Sequence, residues 1–244
     1  MKENEMVFGL RAVIEAIQSG KEIDKILLKK DLQSELSREL SELLRGRFIP
    51  VQRVPQERLD RITHKNHQGV IAFVSAVDYQ RIEDLIPSIY EQGRDPFIVL
   101  LDGVTDVRNF GAIARTCECA GVDAIVIPST GSVSVTADAM KTSSGALHHL
   151  PVCKERTIHG AIRFLRQSGL RVIVASEKAS EPYTAVSYTS PIALVLGGED
   201  TGVSAENLRI ADHIVRIPQH GVIGSLNVSA AAAVLIYEAL RQKT

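Results

Sequence analysis

The chain has 244 residues, 45% hydrophobic and 23% charged, with a formal net charge of −1. This length suits two domains, and the composition excludes a disordered or fibrous chain. The near-neutral balance excludes a global basic field, so any RNA contact has to come from a local patch.

Residues 1–76 carry 13 Lys and Arg against 11 Asp and Glu, a mildly basic segment. Leu10, Val13, Ile14 and Ile17 recur at helical spacing ahead of Gly20, a natural stop. A strand is expected over 23–28. A second helix follows over 32–44, with Leu36, Leu40, Leu43 and Leu44 on one face. Residues 48–51 read as a strand, 56–62 as a short helix and 70–74 as a last strand, completing a small alternating α/β domain over 1–76. Residues 77–95 read as a linker with one short helix over 81–90. The Gly93-Arg-Asp-Pro96 turn precedes a second domain over 96–244.

In that domain three apolar runs, 97–101, 124–127 and 192–196, read as buried parallel strands, with 172–175 and 213–217 as shorter members. Helices are expected over 111–120, 158–167 and 205–209, and from Ala230 to Leu240 at the C-terminus. Such alternation predicts an α/β fold with helices on both faces of a parallel sheet. No apolar stretch is long enough to span a bilayer. No basic segment and apolar core stand at residues 1–5, so a cytoplasmic location is expected. The three cysteines, Cys117, Cys119 and Cys153, suit a reducing compartment, and the Cys117-x-Cys119 pair reads as small buried apolar side chains on a helix.

Three loops at strand ends hold the chemistry-bearing residues. The first runs from Leu101 to Arg115 and contains Asn109, Gly111 and Arg115. On spacing alone, Asn109 is a competent helix N-cap and Arg115 a side chain that snorkels to water. In the second, a buried strand runs into Gly197, Gly198 and Glu199, with Gly202 closing the turn. Paired glycines let a ligand or another backbone approach closely, and an ordinary glycine turn explains them equally well. This is neither a dinucleotide fingerprint nor a Walker loop, and its carboxylate would repel a phosphate. The third runs from Ile217-Pro218 through Ser225-Leu-Asn227-Val-Ser229 into Ala230–Ala233, with more polar side chains at a helix start than one cap requires. His64 and His67 lack further ligands at zinc spacing, His148 and His149 diverge, and Ser143-Ser144-Gly145 is not a nucleophile elbow.

Together these loops resemble the three motifs of the SpoU-type RNA ribose 2′-O-methyltransferases, within the SPOUT class. The matches are Asn109-x-Gly111-x-x-x-Arg115, then Gly197-x-Glu199 with Gly202, then Ile217-Pro218 with Ser225-Leu226-Asn227-Val228-Ser229. Residues 7–13 and 67–70 resemble the N-terminal substrate-binding domain of the subgroup that modifies guanosine in 23S ribosomal RNA. The resemblance implies a small N-terminal α/β RNA-binding domain and a parallel-sheet α/β catalytic domain with a C-terminal trefoil knot. It also implies a homodimer and S-adenosyl-L-methionine as methyl donor. Gly197, Gly198, Ile217 and Leu226 would grip that cofactor, while Asn109, Arg115, Glu199, Ser225 and Asn227 would face the methyl group and the ribose. No metal is implied, because the leaving group departs as a neutral thioether. A guanidinium keeps its proton, so the role expected for Arg115 is to hold a neighbouring phosphate and stabilise the developing alkoxide. The expected reaction is 2′-O-methylation of a guanosine ribose in large-subunit rRNA. The alternatives are a tRNA ribose methyltransferase, a non-enzymatic RNA-binding assembly factor and a generic dinucleotide enzyme.

Overall fold

The computed structural model describes residues 6–47, 49–189 and 191–243. Residues 1–5, read above for an export signal, and Phe48, read as the start of a strand, lie outside them. The chain forms two compact units, Met1–Asp78 with Ser134–Ala137, and Tyr79–Val133 with Asp138–Thr244.

The first unit is built on β1 (Met6–Phe8), β2 (Ile23–Lys29), β3 (Val51–Val54) and β4 (Val70–Val74), in the order β1-β4-β2-β3. β4 runs antiparallel to β1 and β2, and β3 runs parallel to β2. Helices α1 (Leu10–Gln18) and α2 (Glu35–Leu43) pack on one another. Their apolar stripes join Ile26, Leu28, Val70 and Ala72 in one core. The expected helix over 32–44 starts three residues later, because Ser34 caps it in a reciprocal box with Ser37. The short α3 (Gln56–Asp60) brings Leu59 into a smaller cluster with Leu27, Ile71 and Phe73. His67 is a structural residue of the turn before β4. Its Nδ1 accepts from the Gly69 N–H at 3.0 Å, so its Nε2 carries the proton toward Asp60 at 2.8 Å. The strand read at 48–51 lies at Val51–Val54 instead, and β1 was not anticipated: three residues are too few to show a period.

The second unit holds a sheet in the order β7-β6-β5-β10-β8-β11-β9, parallel throughout. Its strands are β5 (Phe97–Asp102), β6 (Ala124–Pro128), β7 (Val152–Glu155), β8 (Arg171–Ala175), β9 (Glu181–Pro182), β10 (Ile192–Gly197) and β11 (His213–Arg216). The helices are α4 (Ile82–Glu91), α5 (Val107–Cys119), α6 (Ala137–Thr142), α7 (Ile158–Gln167), α8 (Ala205–Arg209) and α9 (Val228–Lys243). From β5 the chain moves outward through β6 to β7, returns to build β8 and β9, and then inserts β10 between β5 and β8. The order therefore reverses beside β10, where open parallel sheets leave a crevice at the carboxyl ends of their strands.

Residues 79–95, read from the sequence as a linker, fold within this unit. Ile82, Ile86 and Ile89 of α4 are buried in its core beside Ile98, Val126 and Ile162. The Ile82 N–H donates to Glu155 Oε1 at 3.0 Å, a cap supplied from 73 positions away that local spacing cannot reveal. α5 begins earlier than expected, and its N-cap is Asp106, which accepts from the N–H groups of Arg108 and Asn109. Cys117 is buried as expected and Cys153 is buried too, with burial pushing both thiols up, Cys153 to about 12. Cys119 is exposed instead, since two steps along a helix turn a side chain to the opposite face.

Candidate active site

A cleft of about 610 Å³ opens at the carboxyl ends of β8, β10 and β11. Ala175, Gly197 and Val215 mark those strand ends, and Ile217 with residues 224–228 closes the far wall. Of the nine residues expected at the site, Gly197, Gly198, Glu199, Ile217, Ser225, Leu226 and Asn227 line it.

Asn227 joins the three loops. Its Oδ1 accepts from the N–H of Ser229 at 3.0 Å and of Ala230 at 3.4 Å, capping α9. A backbone N–H can only donate, so this fixes the side-chain amide and turns Nδ2 toward the cleft as a donor. Nδ2 donates to Asn109 Oδ1 at 3.0 Å and to Glu199 Oε1. One side chain from each loop thus meets at one point. Asn109 is free for this because Asp106 caps α5 in its place, which corrects the expectation that Asn109 was the cap.

The glycine pair holds two backbones against each other. A Cβ on Gly197 would stand 2.1 Å from the Gly202 carbonyl carbon, and one on Gly198 would stand 2.4 Å from the Gly103 oxygen. Gly198 N–H donates to the Asp102 oxygen at 2.8 Å, tying the second loop to the first. Asp102 does more than end its strand. Its carboxylate accepts from Ser204 N–H at 2.9 Å and from Asn207 Nδ2 at 2.8 Å, securing the start of α8 behind the Glu199 turn. Sequence reading gives Asp102, which follows Leu101 in the first loop, no role. It also missed Ser176, Glu177 and Lys178, which line the cleft after β8. The rule that ligands sit beyond the carboxyl ends of parallel strands, applied to 172–175, would have found them.

Arg115 stands apart. It lies six residues beyond Asn109 on α5, about 9 Å along the axis and on another face. It is exposed, does not line the cleft, and donates from Nη1 to Ser144 Oγ at 3.4 Å. Ser144 has a φ of 53°, an unusual conformation for a residue with a side chain. The structure therefore does not bring Arg115 to the Asn227 junction. His220, the histidine of the third loop, is exposed and outside the cleft lining.

The donor set suits a small organic cation. Glu177, Glu199 and Asp200 outnumber Lys178, and Leu196, Val215, Ile217, Leu226 and Val228 supply apolar walls. Among the described residues the Leu226 N–H has no backbone partner, which leaves it open to a ligand acceptor. The volume falls within the usual range for small-molecule sites, about 300–1,000 Å³.

Comparison with known proteins gives this arrangement a family. Residues 96–237 match the SpoU rRNA Methylase family, and residues 6–80 match the RNA 2′-O ribose methyltransferase substrate binding domain. A Bacillus subtilis protein, YacO, assigned to the TrmH family of tRNA/rRNA methyltransferases, is 31% identical over 99% of this chain and 97% of its own. The structure of an AdoMet-bound rRNA methyltransferase from Sinorhizobium meliloti aligns with a TM-score of 0.63 and 26% identity, covering 98% of this chain and 88% of that one. A TrmH/SpoU tRNA modifying enzyme from A. aeolicus aligns at 0.57 and 29% identity over 66% of this chain and 83% of its own. The chain belongs to the SpoU rRNA methylase family and, with it, to the RNA methyltransferases.

Proposed function

We propose that this protein transfers the methyl group of S-adenosyl-L-methionine to a ribose 2′-hydroxyl, that of a guanosine in large-subunit rRNA. The observation that carries the reading is the Asn227 junction, where Asn109 and Glu199 meet at the mouth of a net-acidic cleft. When bound, the cofactor supplies an electrophilic methyl on a sulfonium that leaves as a neutral thioether. The acidic lining favours that cation, and the backbone around Gly197, Gly198, Ile217 and Leu226 grips it. Glu199, Ser225 and Asn227 orient the ribose hydroxyl, and Asn109 holds the Asn227 amide in register. Such positioning lowers a displacement barrier by several kcal/mol, up to roughly 7–11 in ideal systems. Arg115 holds the adjacent RNA phosphate and stabilises oxyanion charge as the hydroxyl passes its proton to a phosphate oxygen or to water.

Residues 1–76 serve as the RNA-binding domain, and the unit from Tyr79 onward, α4 included, as the catalytic domain, with a C-terminal trefoil knot around the cleft. The active species is a cytoplasmic homodimer, and a site drawing on both copies gives Arg115 a place to act outside the cleft of its own chain. The resemblance of residues 7–13 and 67–70 to the 23S-modifying subgroup supports rRNA over tRNA. So does the near-complete coverage by an rRNA methyltransferase, against two thirds by a tRNA modifying enzyme. Ribose methylation mapped across ribosomal and transfer RNA, with and without the gene, tests the reading. One guanosine of large-subunit rRNA should lose its mark, and loss of a tRNA mark instead would transfer the assignment to tRNA.

A further inference from the structure

A second cavity, of about 560 Å³, lies at the opposite end of the same sheet. It is lined by Arg163, Arg166 and Gln167 of α7, by Arg171 at the start of β8, and by Asp212 ahead of β11. β8 spans the two sites: Arg171 opens the strand at this cavity and Ala175 ends it at the candidate active site. Four residue steps separate them, about 13 Å of backbone.

The two ends carry opposite charge. Three guanidinium groups here face one carboxylate, and that carboxylate is already engaged. Asp212 Oδ1 accepts from Arg166 Nη2 at 2.8 Å, and Oδ2 accepts from the Val172 N–H at 2.8 Å. Arg171 Nη1 donates to the Ser187 carbonyl at 3.2 Å, which holds its planar head in place. Arg163 is exposed and, among the described residues, has no hydrogen-bond or ion-pair partner. Two fixed arginines, one unengaged arginine and an amide donor from Gln167 form a polar, open hollow that presents N–H groups. Arginine forks match phosphate oxygens, and phosphate contacts set the register of a nucleic acid without reading its bases. A protein of net charge −1 with such a hollow concentrates its attraction for polyanions locally.

We propose that this arginine-lined hollow is a second RNA-backbone site, holding phosphates of the substrate on the face of the catalytic unit away from the methyl-transfer cleft. The proposal rests on the RNA methyltransferase reading above, and its chemistry is that of phosphodiester groups in folded RNA.

Because Arg163 lacks an intramolecular partner, Arg163→Glu tests the site with little risk to folding, and Arg163→Gln provides the milder companion. Binding of a labelled transcript of a large-subunit rRNA domain is measured against salt, with S-adenosylmethionine calorimetry and thermal melting as controls. Arg163→Glu should weaken RNA binding by about tenfold and lower the slope of log K against log salt by about one unit, with cofactor affinity and melting unchanged. Arg163→Gln should move both in the same direction by less. Unchanged RNA affinity and slope in both variants would overturn the site. Inorganic phosphate or ATP that binds the wild type but not Arg163→Glu, while RNA binds both equally, would make the hollow a small-anion pocket and also overturn it. A wild-type protein that binds no RNA would instead refute the underlying reading, and that failure shows before any variant is made.

Discussion

Asn227 uses its side-chain oxygen on the first turn of α9 and its amide on Asn109 and Glu199, so two consequences of its removal can be separated. Asn227→Ala loses the cap, worth about 1 kcal/mol, and the junction as well. Melting should drop by a few degrees, cofactor affinity should fall in calorimetry, and methyl transfer should drop by about 100-fold or more. Asn227→Asp keeps an oxygen for the cap but sets a carboxylate against Glu199. It should melt near the wild-type temperature and still lose activity, and retained activity would show that the amide is not needed. Arg115 calls for the opposite pattern. It lies outside the cleft, so Arg115→Ala should abolish methyl transfer while leaving S-adenosylmethionine affinity nearly intact, and lost cofactor affinity would remove it from the role proposed.

The C-terminal helix is fixed at both ends, by Asn227 at its start and by a clamp near its finish. Glu238 accepts from Arg241 at 2.7 and 2.8 Å and from Gln242 at 2.8 Å. Gln242 also accepts from the Tyr188 N–H at 2.9 Å and donates to the Val186 carbonyl at 3.2 Å, tying α9 to the segment before β10. The hydrogen bonds from Arg241 and Gln242 pull the Glu238 carboxyl down to about 2. An unfolded glutamate titrates near 4.3, so the clamp stabilises the fold fully above about pH 4.3 and loses that contribution as pH falls toward 2. Melting of the wild type should therefore fall between pH 5 and pH 3 by more than that of Glu238→Gln, and parallel curves would show that the clamp carries no stability. The glycine crossing makes a sharper demand. Gly197→Ala drives a methyl into the Gly202–Val203 backbone, so it should destabilise by about 1–3 kcal/mol and blunt cofactor binding, read by melting and calorimetry. These elements also show what a sequence makes legible. The strands at 97–102, 171–175 and 192–197 announce themselves as apolar runs, and α7 and α8 by their spacing. β7, β9 and α6 are too short or too polar to carry a period. The Asp106 cap, the Asp102 clasp and the Glu155 cap on α4 depend on residues that meet only after folding. Seven of the nine expected site residues line the cleft because motif order tracks strand ends, whereas the face of α5 that carries Arg115 is fixed by where α5 begins.

The division of the whole chain follows the same logic. Two sheets, each with its own buried core, explain why the chain separates after Asp78, while α4 belongs by burial and by its Glu155 cap to the unit that follows. The first unit also includes Ser134–Ala137, and the Ala76 N–H donates to the Val135 oxygen at 2.7 Å. A truncation should therefore begin at Tyr79 rather than in the middle of 77–95, because a cut beyond Ile82 already strips one buried isoleucine from the catalytic core and a cut beyond Ile89 strips three. The 79–244 fragment retains the cleft, the Asn227 junction and the whole parallel sheet. It should fold cooperatively, bind S-adenosylmethionine as the full chain does and elute as a dimer. Its affinity for structured ribosomal RNA should fall by about tenfold or more, since the mildly basic substrate-binding domain is gone. Methyl transfer to rRNA should fall with it through KM rather than kcat, because the residues that orient the ribose remain. Full activity of the fragment on rRNA would show that residues 1–76 do not bind the substrate, and a fall in kcat at unchanged KM would show that they act on the cleft instead.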